Sequence, residues 1–189
     1  MKKSVFMTIG IILITGFCIF GCGSKSASES KQQKTTTEAS DKTERKSVFG
    51  NFTTTDLNGT TVDQSVFKKS KLSLVNIWGT FCTPCLKELP FLESLAKEYK
   101  GRVQLIGIVG DASKEKNSDV AKQIVKKTGV TYLNLLSSQS LMENYLQTVM
   151  YYPTTVFVDE NGRQVGDAIT RANSLEQWKS LIEKRLKEV

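Results

Sequence analysis

The cysteines are the residues of this sequence with obvious reactive chemistry, and they form two close pairs, at positions 18 and 22 and at positions 82 and 85. A small disulfide-stabilised domain spreads its cysteines so that they close long loops, and this spacing does not. The chain contains no histidine, which excludes a histidine general base and histidine-ligated zinc, copper or iron sites. Two thiols alone cannot supply the four ligands of a structural zinc site. The pattern therefore predicts thiol–disulfide chemistry and no metal site.

The Cys82-Thr83-Pro84-Cys85 motif lies between a predicted buried strand, residues 72–78, and a predicted helix, residues 83–99. A helix N-terminus lowers the pKa of a thiol, because unpaired N–H groups and the helix dipole favour the thiolate. Pro84 is tolerated in the first turn, where its missing N–H has little effect. We expect Cys82, at the exposed helix end, to attack a substrate disulfide and Cys85 to resolve the mixed disulfide. The alternative is an inert structural disulfide.

Glu88 follows Cys85 by three residues, so the two side chains share a helix face. Two interpretations are open. Glu88 is either a solvated carboxylate that favours the helix N-terminus, or the proton acceptor for Cys85. The second interpretation draws on the absence of histidine and on Asn76, a side chain that cannot titrate.

Hydrophobic periodicity and turn residues predict the elements that must position these side chains. The predicted pattern alternates strands with helices and ends in a hairpin and a closing helix, which indicates a mixed sheet with helices on both faces. Its parts are short extended pieces around an Asn58-Gly59 turn, strand 103–109, helix 114–127 closed by Gly129, short strand 132–136, helix 141–148, strand 154–158, a turn at 161–162, its hairpin partner 163–169, and helix 175–186.

Two segments carry a family resemblance: residues 76–90, NIWGTFCTPCLKELP, and residues 152–159, YPTTVFVD. They resemble the active-site segment and the cis-proline loop of the TlpA/ResA-like thioredoxins, which are anchored bacterial thiol-disulfide oxidoreductases. Phe81 departs from the tryptophan usual before the first cysteine. Residues 110–150 resemble the segment that this family inserts. The resemblance implies an α/β, thioredoxin-like fold with a mixed central sheet, helices on both faces, a TlpA-type insertion and an N-terminal extension.

The resemblance also implies a set of site residues. It assigns catalysis to Cys82, Cys85 and Glu88. The resemblance thereby favours the proton-acceptor interpretation of Glu88. No cofactor is expected beyond the redox-active Cys82–Cys85 disulfide itself. A cis Pro153 would present its backbone to an extended substrate beside Cys82, and a trans bond is the alternative. For Trp78 the alternative is a plain core role. The expected substrate-binding residues are Trp78, Thr83, Pro84, Tyr152 and Pro153.

The N-terminal residues predict a targeting signal followed by a flexible spacer. Lys2 and Lys3 precede an apolar run that ends in Ile19-Phe20-Gly21-Cys22, which resembles the bacterial lipobox. We therefore expect a signal peptide over 1–21, a lipidated Cys22 with a disordered tether over 22–47, and a thioredoxin-like domain over 48–189. This predicts an extracytoplasmic protein, lipid-anchored to the outer face of the bacterial cell membrane. An uncleaved signal anchor is the alternative.

Charge and motif content narrow the partners. Residues 48–189 carry 18 basic and 15 acidic side chains, with no Lys/Arg run interleaved with aromatics, so nucleic-acid binding is not expected. The family resemblance implies protein disulfides as substrates, a transmembrane electron donor of the CcdA or DsbD type, and reduction as the direction; we expect a monomer. Two alternative functions are a peroxiredoxin-like peroxidase and a Cu(I)-binding metallochaperone. A peroxiredoxin-like peroxidase would need a lone cysteine with an arginine partner. A Cu(I)-binding metallochaperone would favour histidine or clustered methionine near the dithiol.

Overall fold

The computed structural model describes residues 46–189. The predicted signal peptide 1–21, the predicted lipidation site Cys22 and residues 22–45 of the predicted tether lie outside the described residues. Within 46–189, none of the helices combines the length and the apolar character that crossing a bilayer requires.

Strands and helices alternate along the described residues much as the periodicity predicts. The strands are β1 (Thr53–Thr55), β2 (Thr61–Asp63), β3 (Leu72–Trp78), β4 (Val103–Val109), β5 (Leu133–Leu136) and β6 (Thr154–Asp159). The α-helices are α1 (Thr83–Glu98), α2 (Ser118–Thr128), α3 (Gln139–Asn144) and α4 (Leu175–Leu186), and short 3-10 helices cover Gln64–Lys69 and Leu146–Thr148.

The central sheet has the strand order β5-β4-β3-β6. β3, β4 and β5 are parallel, and β6 is antiparallel to β3. Every residue of β3 is buried, as a continuous apolar run predicts for a strand covered on both faces. β1 and β2 form an antiparallel hairpin around the predicted Asn-Gly turn, joined to β5 by a bridge between Asp56 and Leu135. The predicted α/β class with a mixed sheet is confirmed.

Alternate residues of β3 face two different layers, because side chains alternate across a strand. Val75 and Ile77 pack against the N-terminal phenylalanines and α3 on one face of the sheet. Leu72 and Leu74 pack against α1 and α4 on the other face. The end of β3 therefore feeds directly into α1 on the second face, which is where the cysteine motif lies.

The helix predicted over 114–127 begins later than expected. Ser113 and Lys116 exchange backbone hydrogen bonds and form a turn, and Asn117 adopts a left-handed backbone with φ +59°. α2 therefore starts only at Ser118. Its predicted end at Gly129 is confirmed, where φ is +73° and glycine has no steric penalty.

The helix predicted over 141–148 is broken in two. α3 starts earlier, because the Ser138 side chain accepts a hydrogen bond from the Leu141 N–H and caps it. Tyr145, with φ −146° and ψ −47°, leaves the helical region and separates α3 from the second 3-10 helix.

The continuous hairpin strand predicted over 163–169 is also wrong. The turn at Asn161–Gly162 forms, but pairing with β6 is limited to two isolated bridges, Val158 with Gln164 and Thr155 with Ile169. Between them Gly166 has φ +68°, and the Arg185 guanidinium fills the space where a Cβ would stand. This left-handed residue interrupts the ladder.

Candidate active site

The two cysteines of the motif meet at the N-terminus of α1. Cys82 is the N-cap residue, with an extended backbone at φ −87° and ψ 94°, and Cys85 lies in the first turn. Their sulfur atoms form a disulfide, with the Cα atoms 5.3 Å apart. The Cys82 Sγ also accepts a hydrogen bond of 3.3 Å from the Cys85 N–H. A negative charge developing on this sulfur would therefore face unpaired helix N–H groups.

The two cysteine residues differ slightly in exposure. Cys82 is 6% exposed and Cys85 is 1% exposed. Both side chains belong to one apolar cluster with Leu89, Val109 and Leu136. Of the two, Cys82 is thus the sulfur that a bulky substrate reaches with the smaller rearrangement, although neither is freely exposed.

The proline loop lies beside the cysteines because β3 and β6 are neighbours. Ile77 near the end of β3 pairs with Thr154 at the start of β6, and the Tyr152–Pro153 peptide bond immediately before it is cis. Tyr152 packs against the cluster that contains both cysteines. Its ring lies 5.8 Å from that of Phe81, in an edge-to-face arrangement. The structure thus brings the two sequence motifs together.

Exposed aromatic and apolar side chains surround this junction. Phe81 is 70% exposed, Tyr151 68% and Met150 79%. Phe81 stands where the sequence departs from the family's usual tryptophan, and it keeps an aromatic ring at the surface. These three side chains form an exposed apolar patch on the proline-loop side of the cysteine motif.

Asp111 fixes the loop that precedes Cys82. Its carboxylate accepts a hydrogen bond of 2.8 Å from the Thr80 N–H at Oδ1 and a second from the Thr80 hydroxyl at Oδ2. The Asn117 side chain donates to the backbone carbonyl of Asp111 at 3.0 Å. The turn before α2 therefore holds the entry to the cysteine motif from the side. No sequence signal pointed to Asp111.

Trp78 does not lie where a substrate-binding residue must. The side chain is completely buried, and its Nε1–H donates a 2.9 Å hydrogen bond to the Asn134 Oδ1. The indole packs under the cysteines in the same apolar cluster. The expected contact with substrate is thus corrected to a core position, because Asn134 holds the ring inside the fold.

Glu88 is buried rather than solvated, which rules out one of the two interpretations of its sequence position. It is 2% exposed. Its Oε1 accepts hydrogen bonds from the Asn173 N–H at 2.7 Å and from the Trp178 Nε1–H at 2.8 Å. These donors come from α4 and the segment just before it. The carboxyl group is consequently fixed inside the protein, on the α1 turn that follows Cys85.

The surroundings of Glu88 shift its titration. Burial raises the pKa of this carboxyl above its ordinary value, because desolvation disfavours the charged form, while the hydrogen bonds from Asn173 and Trp178 and the nearby Asn76 amide act in the lowering direction. Burial is the largest of these effects. A carboxyl with a raised pKa exchanges protons closer to neutral pH than an exposed one, which is what a general base requires.

The remaining predicted contact residues line a shallow cavity beside Glu88. Thr83 and Pro84 are exposed and border a cavity of about 320 Å³. Glu88 itself, Lys87, Phe91, Ala172 and Asn173 complete its wall. The cavity opens next to the first turn of α1, on the side where the donors to Glu88 arrive. Asn173 and Trp178 are functional neighbours that sequence reasoning missed.

Comparisons with known proteins agree with this arrangement. The family model described as Redoxin matches residues 30–177 of the chain. The thiol-disulfide oxidoreductase ResA of Bacillus thuringiensis is 30% identical over 142 residues, which cover 74% of this chain and 75% of ResA. The thioredoxin-like protein YneN of Bacillus subtilis is 34% identical over 94 residues. This alignment covers 50% of this chain and 54% of YneN, so the chain spans about half the length of that relative.

Solved structures show the same fold at lower sequence identity. The exposed lipoprotein thioredoxin Etrx1 of Streptococcus pneumoniae superposes with a TM-score of 0.56 at 23% identity. The alignment covers 71% of this chain and 99% of that one. At this identity the likeness concerns the fold, and it agrees with the predicted thioredoxin-like architecture.

Proposed function

This chain belongs to the Redoxin family and is a thiol-disulfide oxidoreductase of the ResA type. From that premise we propose that it reduces protein disulfides while anchored to the outer face of the bacterial cell membrane. The observation that carries the proposal is the Cys82–Cys85 disulfide at the N-terminus of α1, with the buried carboxyl of Glu88 one turn later.

The reaction begins from the reduced dithiol. The Cys82 thiolate attacks one sulfur of a substrate disulfide; a Cys82–substrate disulfide forms and the substrate's other sulfur leaves as a thiolate. Cys85 then loses its proton and attacks the Cys82 sulfur. The second substrate thiolate departs, so the substrate is reduced by two electrons and the Cys82–Cys85 disulfide is formed. An external dithiol donor must return those two electrons.

Glu88 is the proposed acceptor of the Cys85 proton. A thiol as buried as Cys85, at 1% exposure, resists ionisation unless a nearby base takes its proton. Glu88 lies on the same face of α1, and burial has raised its pKa. The carboxylate takes the proton as Cys85 attacks and returns it to the departing substrate thiolate or to solvent.

Pro153 and its neighbours bind the substrate in this proposal. The loop 151–153 carries the exposed Tyr151 and packs through Tyr152 against the cluster that contains Cys82, and an extended substrate segment lies along it. Phe81 and Met150 provide the apolar surface, and Thr83 and Pro84, which follow Cys82 in the chain, line part of the cavity beside Glu88.

Reduction is the favoured direction on electrostatic grounds. Glu88, the ionisable group that follows Cys85 on the same helix face, is acidic. A buried carboxylate disfavours a neighbouring thiolate, because like charges repel. A less stabilised reduced form makes the dithiol a better electron donor. A transmembrane donor of the CcdA or DsbD type supplies the electrons, as the family resemblance implies.

The mechanism is tested by trapping. Cys85→Ser should accumulate a Cys82 mixed disulfide with protein substrates in living cells, visible on non-reducing gels, whereas the matched Cys82→Ser variant should not. Alkylation of the reduced protein near neutral pH should modify Cys82 before Cys85. A mixed disulfide formed through Cys85 instead would reverse the assignment of the two thiols.

The role of Glu88 is tested by stopped-flow exchange with a model peptide disulfide between pH 5 and 9. Glu88→Gln should slow resolution of the mixed disulfide about 10²-fold, the low end of general-base effects. Glu98→Gln, which changes an exposed carboxylate on the same helix, is the matched control. Superimposable pH profiles for wild type and Glu88→Gln would remove Glu88 from the mechanism.

The membrane anchor rests on the lipobox-like junction before Cys22. Labelling of cells with a fatty-acid probe should tag the wild-type protein, and Cys22→Ala should lose the tag. Cys18→Ala serves as the control, because Cys18 would be removed with the signal peptide. An unlabelled wild-type protein that retains Met1 would contradict lipidation and favour the uncleaved anchor.

A further inference from the structure

The end of the sheet opposite the cysteine motif carries an excess of positive charge. β3 and β4 start at this end and β6 finishes there, because β3 pairs in parallel with β4 and antiparallel with β6. The segments 68–71, 99–102 and 159–163 therefore meet at this end, and together we name them the basal face. Its charged side chains are six basic ones, Lys68, Lys69, Lys71, Lys100, Arg102 and Arg163, and two acidic ones, Asp159 and Glu160.

The lysines of the basal face are free of acidic partners within residues 46–189. Both arginines of the face are paired, Arg163 with Asp159 at 2.7 Å and Arg102 with Glu183 of α4 at 3.3 Å. The other basic side chains of the face are exposed and form no ion pair with a described residue: Lys68, Lys69, Lys71 and Lys100. Cations near helix C-termini are common, so this charge alone does not identify a partner.

The second observation is where the chain enters the domain. The Val48 N–H donates a 2.9 Å hydrogen bond to the Gly162 carbonyl in the turn after β6. The Ser47 side chain and the Phe67 ring both pack against Gly162, in the space that a Cβ there would occupy. Because Phe67 directly precedes Lys68, the segment that leads to the proposed lipid anchor joins the domain at the basal face.

The length of the connecting segment does not determine how the domain faces the membrane. Cys22 precedes Ser47 by 25 residues, which could span up to about 90 Å at full extension. An anchor at Cys22 therefore keeps the domain near the bilayer, but a preferred orientation needs a direct contact between the domain and the lipid surface.

We propose that the basal face docks on anionic phospholipid headgroups of the membrane to which the protein is anchored, so that the cysteine motif points away from the bilayer. The inference rests on the membrane anchoring in the proposed function. Each lysine or arginine near an anionic bilayer strengthens binding about fivefold at low to physiological salt. This attraction acts over the Debye length, about 8 Å at physiological salt, so it needs the basic side chains close to the lipid.

The docked orientation has a consequence for the redox site. β3 has seven residues, which span about 20 Å at about 3.3 Å per residue. Cys82 and the exposed patch of Phe81, Met150 and Tyr151 therefore stand about 20 Å or more from the basal face, where they meet proteins outside the membrane. Because the contact is electrostatic, it is reversible, and the domain can turn toward a membrane-embedded electron donor after release.

The test is lysine footprinting of the full chain in its disulfide form. The protein is reconstituted into vesicles of phosphatidylcholine alone or of equal parts of phosphatidylcholine and phosphatidylglycerol, and brief acetylation of lysines is quantified by mass spectrometry. Phosphatidylglycerol should slow acetylation of Lys71 and Lys100 about tenfold or more. Lys87 and Lys114, exposed at the cysteine end, should react alike in both vesicles. Salt at about 1 M, where the Debye length is about 3 Å, should abolish the protection.

A double substitution tests the charge directly. Lys68→Gln/Lys69→Gln leaves Lys71 and Lys100 as reporters, and they should lose most of their protection, because removing two cations weakens docking about 25-fold. Lys114→Gln/Lys116→Gln is the matched control, since it removes the same charge from the turn before α2. This control should keep the protection of the wild type.

Three results would overturn the proposal. One is equal acetylation of Lys71 and Lys87 in every vesicle, and another is protection that persists in phosphatidylcholine alone or in high salt. The third is protection that soluble polyphosphate produces and phosphatidylglycerol does not, which would assign the basal face to a soluble polyanion. The anchor is judged separately, by flotation of the full chain with phosphatidylcholine vesicles. A chain that fails to float refutes the anchoring, whereas a floating chain without lysine protection refutes only the docking.

Discussion

The sequence identifies Glu88 as a candidate proton acceptor by its type and position, but it does not reveal the environment of the side chain. Its spacing from Cys85 is visible in the sequence, but its burial depends on Asn173 and Trp178, which lie 85 and 90 residues further along the chain. Local periodicity contains no information about such distant donors. The same holds for Trp78, whose burial is fixed by Asn134, 56 residues away. The reactive cysteines, by contrast, need only their neighbours in the motif.

The burial of Glu88 also makes stability depend on pH. Its pKa is raised in the folded protein relative to the ordinary value of 4.5. At pH values between the ordinary pKa and the folded-state pKa, the folded protein therefore binds more protons than the unfolded chain. The free energy of unfolding contributed by this group must therefore be highest at low pH and fall as pH rises through the folded pKa.

Glu88→Gln should abolish that decline. The Gln amide oxygen can still accept hydrogen bonds from Asn173 and Trp178, but the side chain no longer titrates. In urea unfolding between pH 4 and 8, the free energy of unfolding of the wild type should fall relative to that of Glu88→Gln as pH rises, whereas its difference from Glu98→Gln should stay constant. Parallel curves for wild type and Glu88→Gln would mean that Glu88 titrates alike in both states.

At the scale of elements, the sequence predicted strands and helices best where burial is uniform. β3, β4 and α4 have the predicted bounds, since a continuous apolar run or a single apolar face determines each of them. The errors lie where a side chain or backbone turn overrides the pattern, as at Asn117 before α2 and Gly166 after β6. Turn geometry of this kind is decided by tertiary neighbours such as Arg185.

The turn before α2 has a functional consequence through Asp111. Asp111→Ala removes both hydrogen bonds to Thr80 and frees the loop that enters the cysteine motif. We expect a loss of about 1.5–3 kcal/mol in unfolding free energy, the range for hydrogen bonds to charged groups, and a changed pH dependence of Cys82 alkylation. Asp111→Asn, which keeps an acceptor for the Thr80 N–H, should lose less.

Asp167→Ala provides the matched control, because Asp167 is an exposed aspartate. It should change stability by no more than about 0.5 kcal/mol, as most surface substitutions do, and leave Cys82 alkylation as in wild type. Equal effects of Asp111→Ala and Asp167→Ala on alkylation would show that the Thr80 contacts do not position the cysteine loop.

At the scale of the whole molecule, the sheet topology assembles the site. Cys82 and Pro153 are far apart in sequence, yet the antiparallel pairing of β3 and β6 places Ile77 opposite Thr154, and so brings the segments after and before them together. The sequence contained both motifs, and the family resemblance linked them. Periodicity alone could not have done so, because it does not determine which strands are neighbours.

The direction of electron flow is likewise a property of the whole fold. By linkage, the reduction potential of the Cys82–Cys85 pair follows the difference in stability between the disulfide and dithiol forms, about 1.4 kcal/mol for each 30 mV. An oxidant has a reduced form that is the more stable one. Here the acidic Glu88 is buried on the helix face of Cys85, which works against a stabilised thiolate.

We therefore expect the disulfide form to be more stable than the dithiol form. Thermal and urea unfolding of the oxidised and fully reduced full-length protein at pH 7 should give a higher unfolding free energy for the oxidised form. Glu88→Gln should narrow the gap, because removing the buried carboxylate relieves its effect on a Cys85 thiolate, whereas Glu98→Gln should not. A Cys82→Ser/Cys85→Ser variant should unfold identically with and without reductant. If the reduced form proved more stable, the protein would be poised as an oxidant, and the proposed direction of electron flow would be reversed.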